Sequence, residues 1–192
     1  MPLKTLIKVG SLTNLSDARY CAGMDVQMLG FQAVPDLPRH LPAAKFQEIR
    51  GWVTGPKIVA EVHGVQSQSQ LELIIETYRP DYLELGLNEV QFMGTATVPV
   101  ILALRPDEFW DEAIKANMSL QSLVAYALVD IADARELPVP KIVHVASFDE
   151  ALIVLEKSAA SGMALLGSDE LSPGLKSYDT LAPILEMLED ES

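Results

Sequence analysis

The chain has 192 residues, of which 49% are hydrophobic and 21% charged, and this length allows one domain with a sizeable buried core. Its formal net charge is −13, from 14 Lys and Arg against 27 Asp and Glu, so we expect neither nucleic acid nor a membrane surface as a partner, because both attract clustered cations. The chain has no apolar run of about 18 residues, no signal-peptide pattern and a single cysteine, Cys21, so we expect a cytoplasmic protein without a membrane span or an intrachain disulfide.

Short apolar runs alternate with amphipathic stretches along the whole chain. The runs are apolar at successive positions, which is typical of strands buried on both faces of a parallel sheet. Eight strands are predicted, at residues 5–10, 26–31, 57–63, 82–85, 98–104, 123–130, 141–145 and 163–166. Seven helices are predicted between and after them, at residues 15–22, 43–52, 67–78, 88–93, 106–117, 147–160 and 178–188.

Several predicted helices carry start signals. Ser16 is expected to cap the first helix and Ser147 the helix at 147–160, while Pro106 stands where a first-turn proline is tolerated. Between the sixth and seventh strands, prolines at 138 and 140 leave room for one helical turn at most. The segment 131–140 therefore predicts that one helix of the set is nearly deleted.

The strict alternation of strand and helix favours an α/β fold. Two architectures fit eight such strands: a closed (β/α)8 TIM barrel or a doubly wound open sheet. The glycine-rich G-x-G-x-x-G turn of a dinucleotide-binding sheet is absent, which disfavours the open sheet. We therefore predict a compact (β/α)8 barrel with the helix after strand six shortened or missing, forming a single domain over residues 1–192.

Four segments, in the same order and at roughly the same spacing, resemble the phosphoribosylanthranilate isomerase family of tryptophan biosynthesis. They are Ile-Lys-Val-Gly-Ser-Leu-Thr with Asp-Ala-Arg at 7–19, Asp-Val-Gln-Met-Leu-Gly-Phe at 25–31, Leu-Pro-Arg-His-Leu at 37–41 and Ser-Pro-Gly-Leu-Lys-Ser at 172–177. The resemblance implies a TIM barrel and an isomerisation that opens a ribose ring and moves a proton between carbons. That chemistry needs a base, an acid and an anchored phosphate.

The resemblance assigns these roles unevenly. The position of the family's catalytic cysteine is Gly10, which has no basic side chain, and strand alternation directs the adjacent Ser11 to the opposite face. Asp130 stands where the family has its general acid, and Arg39 matches the arginine that contacts the anthranilate carboxylate. Glycines that would bind phosphate after strands six and seven are missing, and Gly167 remains after strand eight.

Alternation also predicts charges inside the barrel. If position 10 faces the interior, so does Lys8, and Glu61 and His63 share one face of an otherwise apolar third strand. Glu84 stands on the fourth strand at the start of another family motif. A buried charge is tolerated only when it is paired, so we expect Lys8 to pair with Glu61 or Glu84. Two interpretations stay open, a neutralised, plugged barrel centre and a remodelled substrate-binding site.

Three functions fit the sequence. The first is a degenerate homologue, a pseudoenzyme whose isomerase activity is lost or altered. The second is a remodelled barrel enzyme for a small non-phosphorylated ligand, and the third is a working isomerase in which water or a carboxylate replaces the cysteine. No cofactor and no metal site are expected, because the few histidines and the one cysteine lack ligand spacing. Apolar residues near 137–139 could cover the shortened side by forming a homodimer.

Overall fold

Eight parallel strands close into a barrel in the computed structural model, which describes residues 3–94, 96–167, 170–172, 175–176 and 181–189. Each strand pairs with the next in the chain, and the eighth pairs with the first. The strands are β1 Leu6–Gly10, β2 Met28–Gln32, β3 Lys57–Glu61, β4 Tyr82–Gly86, β5 Val100–Ala103, β6 Val124–Asp130, β7 Lys141–His144 and β8 Gly162–Leu166. The predicted (β/α)8 barrel is confirmed, and the doubly wound alternative is wrong.

Helices cover most of the outside of the barrel. They are α1 Leu15–Gly23, α2 Ala43–Trp52, α3 Gln68–Tyr78, α4 Trp110–Ala116, α5 Leu120–Leu123, α6 Phe148–Lys157 and α7 Leu181–Leu188. The predicted helix at 88–93 is a single 3-10 turn, Val90–Phe92. A short antiparallel pair, β9 Glu170–Ser172 and β10 Leu175–Lys176, follows β8 and has no counterpart among the predicted elements. No helix in the described ranges has the length and apolarity needed to cross a membrane.

Of the three start signals, Ser147 is confirmed as a cap, Ser16 is wrong as the cap of α1 although α1 begins at Leu15 as predicted, and Pro106 lies before the helix that it was expected to begin. The side chain of Asn14, not Ser16, caps α1 by accepting a hydrogen bond from the backbone N–H of Asp17. Residues 105–108 form a turn, closed by hydrogen bonds of Arg105 with Glu108, so α4 begins at Trp110 rather than at Pro106. Ser147 caps α6 as expected.

The segment 131–140 contains no helix, as predicted. The Arg135 guanidinium holds it in place by donating to the carbonyl oxygens of Glu108 and Arg105 and by pairing with Asp133. Leu137 packs against the core from this segment. An extended segment fixed by one arginine thus covers the wall where a helix is missing.

Apolar residues fill part of the barrel interior. One cluster inside the barrel consists of Met28, Val59, Ile101, Leu128, Ile142 and Ala164, with Tyr82 and Tyr126 packed against it. A larger cluster lies between the strands and the helices and contains the buried Phe31 and Phe46. The Nζ of Lys8 and the carboxylate of Glu61 lie beside Gly10, the last residue of β1, which places these charges towards the carboxyl ends of the strands, where active sites of such barrels are found.

Candidate functional site

Lys8 lies at the centre of the barrel between two carboxylates. Its Nζ is 2.7 Å from Oε1 of Glu61 and 2.7 Å from Oε2 of Glu84, and all three side chains are at most 7% exposed. Burial lowers the pKa of Lys8, but the charges of Glu61 and Glu84 outweigh burial and raise it above its usual value. The pairing expected from strand alternation is therefore present, and Lys8 is held as a cation.

His63 extends this network towards the mouth of the barrel. Its Nε2 is 3.0 Å from Oε1 of Glu84, and its side chain is partly exposed. Burial lowers the pKa of His63, but the hydrogen bond and charge of Glu84 raise it overall. Burial raises the pKa of Glu84, whereas the charge of Lys8 and the bond with His63 lower it from 4.5 to about 2. With His63 protonated, two cations and two carboxylates balance.

Ser11 points at Glu61, contrary to the sequence prediction. Its backbone N–H donates to both Glu61 carboxylate oxygens at 3.1 Å, and its hydroxyl donates to Oε2 at 2.9 Å. Strand β1 ends at Gly10 and Ser11 has a positive φ of 53°, so the alternation of side chains stops before Ser11. Three donors from β1 and the turn after it, one from Lys8 and two from Ser11, therefore hold Glu61.

Two glycines make room for this network. A Cβ at Gly10 would lie 2.5 Å from Oε1 of Glu61 and 2.7 Å from Nζ of Lys8, distances that real Cβ atoms do not show. A Cβ at Gly30 would also clash with Oε1 of Glu61. The volume that a side chain at position 10 needs is thus already filled by the Lys8–Glu61 pair.

Two clefts open at the mouth of the barrel and share Asp130 and His144 in their walls. The polar cleft, about 370 Å3, reaches His63 and Glu84. The apolar cleft, about 380 Å3, lies at the ends of β6, β7 and β8 and is lined mainly by aliphatic side chains such as Leu165. Asp130 and His144 are register partners on adjacent strands. Burial lowers the pKa of His144, which keeps this imidazole neutral near pH 7.

The structure brings most of the predicted site residues together. One network contains Lys8, Glu61, Glu84 and His63. Asp130 lines the polar cleft together with Glu84 and His63. Arg39 lies apart and lines neither cleft. Its Nη2 donates to the carbonyl of Gly167 at 3.0 Å, which ties the loop after β2 to the end of β8. The roles assigned to these residues from the sequence stay predictions.

Sequence reasoning missed three residues of this region. Gly30 makes room for Glu61, His144 faces both clefts, and Glu89 accepts hydrogen bonds from the backbone N–H groups of Gly64 and Gly86. Alternation along β7 could have identified His144, because it lies two residues after the interior residue Ile142. Among the described residues, no group of three or more His, Cys, Asp or Glu could hold a metal ion.

The end of the barrel where the family resemblance implies phosphate-binding turns has a different chemistry here. Val145, Leu165 and Leu166 line the apolar cleft, and the acidic groups in the described part of its wall are Asp130 and Glu150. Apolar side chains offer no hydrogen bonds to phosphate, and carboxylates repel it. The glycine at 174, which belongs to the fourth segment of the resemblance, lies outside the described residues.

Comparisons with known proteins bear out the resemblance. N-(5'-phosphoribosyl)anthranilate isomerase from Nitrobacter winogradskyi is 30% identical over 138 residues, 71% of this chain but only 53% of that protein, so the match spans about half the length of the curated relative. No protein-family profile matches the chain.

Solved structures of such isomerases share the fold. Phosphoribosylanthranilate isomerase from Thermus thermophilus has a TM-score of 0.71 at 18% identity, covering 95% of this chain and 98% of that one. A phosphoribosylanthranilate isomerase solved with reduced 1-(o-carboxyphenylamino)-1-deoxyribulose 5-phosphate has a TM-score of 0.69 at 12% identity, covering 95% of this chain and 97% of that one. Monomers generated from the dimeric phosphoribosylanthranilate isomerase of Thermotoga maritima also have a TM-score of 0.69, at 12% identity.

Proposed function

We propose that this chain, whose sequence and barrel are similar to those of the phosphoribosylanthranilate isomerases, keeps their fold without their activity. The observation that carries the proposal is the Lys8–Glu61 pair, which fills the space beside Gly10. A base at position 10 is therefore missing as a side chain, and adding one would displace the Lys8–Glu61 pair. Losing a general base costs roughly 10²- to 10⁴-fold in rate.

Neighbouring groups are poor substitutes for that base. The Ser11 hydroxyl already donates to Glu61, and an unassisted hydroxyl is weakly basic near neutral pH. Glu61 is itself buried and holds three hydrogen bonds from Lys8 and Ser11. Taking up a proton there would disrupt the pairing of Lys8, so the working-isomerase alternative requires a rearranged barrel centre.

The apolar cleft supplies an independent argument. An anchored phosphate positions a substrate, and its loss forfeits binding energy as well as orientation. Because aliphatic side chains and the carboxylates of Asp130 and Glu150 line this end of the barrel, we expect no phosphate grip there. Two losses of different kinds, at separate strands, support a pseudoenzyme.

An isomerase assay tests the proposal. Purified protein is incubated with N-(5'-phosphoribosyl)anthranilate, and the gene is expressed in a tryptophan auxotroph that lacks the isomerase. We expect turnover at the uncatalysed rate and no growth, whereas the Nitrobacter winogradskyi isomerase should score in both assays. Growth of the auxotroph that expresses this chain would overturn the proposal.

A remodelled enzyme is the second candidate, and one observation favours it. Asp130 and the neutral imidazole of His144 face a cleft that also reaches His63 and Glu84. A carboxylate and a neutral imidazole in one cleft are suited to proton transfer on a small ligand.

The location in the cytoplasm that is expected from the sequence stays a prediction.

We further propose a homodimer through the face that lacks a helix. A groove there is lined by Phe109, Trp110, Leu137 and Pro138, and Phe109 is 56% exposed. Sedimentation at micromolar concentration should show a dimer that Phe109→Glu converts to monomer. Leu73→Glu, at an exposed apolar residue of α3, should leave it dimeric. A wild-type monomer would overturn this proposal.

A further inference from the structure

The apolar cleft at the ends of β6, β7 and β8 is a cavity that the lost isomerisation does not explain. Its volume is about 380 Å3, at the lower end of the range of roughly 300–1,000 Å3 that small-molecule sites occupy. We propose that it binds a small, non-phosphorylated ligand with an apolar body and a protonated amine. This inference rests on the proposed function, because it requires that the phosphorylated substrate no longer uses this end of the barrel.

The wall of the cleft fits an apolar body. Val145 follows β7, Leu165 lies on β8, Leu181 and Ile184 come from α7, and all four are buried. Leu166 adds a side chain that is 58% exposed at the rim. Burying such surface against a ligand is favourable by about 25 cal/mol per Å2. The cleft can therefore hold a ring or a short branched chain.

Asp130 supplies the counter-charge for an amine. The other carboxylates of the adjoining polar cleft are engaged: Glu84 by Lys8 and His63, Glu89 by two backbone N–H groups, and Glu108 by Arg105. Within the described residues, the Asp130 carboxylate accepts no hydrogen bond and forms no ion pair, and it lines both clefts. It is the carboxylate available to a ligand where the two clefts meet.

The remaining polar groups of the apolar cleft also favour a cation. Glu150 adds a second carboxylate, whose Oε2 accepts the backbone N–H of Ala146 at 2.7 Å. His144 adds no positive charge near pH 7, because burial lowers the pKa of its imidazole. The described wall contains no lysine or arginine. An anionic head group would thus meet repulsion, and a neutral one would leave Asp130 without a partner.

Three probes of similar size separate these cases. Phenethylamine, 2-phenylethanol and 3-phenylpropionate share an apolar ring and differ in the charge of the head group. Binding to the full chain is followed by titration calorimetry and by amide chemical shifts of β6, β7 and β8. We expect the amine to bind about 10-fold more tightly than the alcohol, because hydrogen bonds to charged groups are the stronger ones. We expect the acid not to bind detectably.

Variants locate the site. Asp130→Asn should weaken the amine about 10-fold and leave the alcohol unchanged, whereas Asp149→Asn, at an exposed carboxylate of α6 outside the cleft, should change neither. Leu166→Ser should weaken the amine and the alcohol alike. All three substitutions lie at exposed residues, so the variants are expected to fold.

Several results would overturn the inference: no binding of the amine, binding of the acid as tight as that of the amine, or amine binding that Asp130→Asn does not change. The outcome is independent of the isomerase assay. Isomerase activity would remove the premise of a lost function. A protein without isomerase activity that does not bind the amine would contradict only the inference for the apolar cleft.

Discussion

Position 10 is the residue at which the family resemblance and the chemistry of this chain separate. A glycine there could be read as a simple deletion of the catalytic side chain. In the structure, Lys8 and Glu61 occupy the space beside Gly10 and Gly30. Because these residues come from three neighbouring strands, a side chain added at position 10 alone would meet this pair.

We expect Gly10→Ala to destabilise the protein by about 3 kcal/mol, since overpacking a core and separating a buried ion pair each cost a few kcal/mol. Urea unfolding measures the loss. Gly51→Ala is the matched control, because a Cβ there meets nothing within 4 Å and alanine favours a helix, so it should raise stability by up to about 1 kcal/mol. Gly10→Cys should be as unstable as Gly10→Ala and inactive as an isomerase. A Gly10→Ala variant as stable as the wild type would contradict the tight packing around Glu61.

The His63–Glu84 pair predicts a dependence of stability on pH. Because folding raises the pKa of His63 above 6.5, its contribution is complete below pH 6.5 and is lost as the pH rises through the folded pKa. Because folding lowers the pKa of Glu84 to about 2, its contribution is complete above pH 4.5 and is lost as the pH falls towards 2. The pair therefore stabilises the fold most between about pH 4.5 and 6.5.

Unfolding free energies of the wild type and His63→Gln, measured across pH 4 to 9 by urea denaturation, check this dependence. The difference between the two curves should shrink as the pH rises above 6.5. Glu84→Gln removes the partner, so adding His63→Gln to that variant should no longer change the pH dependence of stability. A difference between wild type and His63→Gln that stays constant across that range would show that folding does not change the pKa of His63.

At the scale of elements, local sequence signals predict where strands and helices lie better than how they begin. The strands are recognisable because their apolar runs are continuous, and the bounds predicted for α2 are those observed. The cap of α1 is misassigned from the sequence because Asn14 and Ser16 both suit a capping position, and only the backbone conformation at the end of the turn decides between them. Asn14 has the extended conformation that capping requires.

Asn14→Ala should destabilise the protein by about 1 kcal/mol, because it removes the cap of α1. Its amide also donates to Asp17, a buried carboxylate. Ser16→Ala is the matched control and should change stability by less than about 0.5 kcal/mol, since Ser16 is exposed. Thermal or urea unfolding of the two variants decides the matter, and equal losses would mean that both residues contribute to the cap.

At the scale of the whole molecule, the excess of acidic residues acts on stability. The net charge is −13, so the excess carboxylates repel one another in the compact state, and salt screens that repulsion. We expect the melting temperature to rise between about 0.02 M and 0.5 M NaCl, as the Debye length falls from roughly 20 Å to roughly 4 Å. The same series near pH 4.5, the sequence pI, is the control and should show a much smaller rise. An unchanged melting temperature at neutral pH would mean that opposite charges already compensate the excess.

The sequence by itself determined the barrel, the missing helix and the presence of charge in the interior, because apolar runs, prolines and strand alternation are local properties. Through the family resemblance it also predicted that position 10 carries no catalytic side chain. Only the tertiary structure decided that Lys8 bridges Glu61 and Glu84, that Ser11 turns back to Glu61, and that Asp130 meets His144 between two clefts. These contacts join residues on different strands or in turns, whose distances follow from barrel closure and loop geometry rather than from any local pattern.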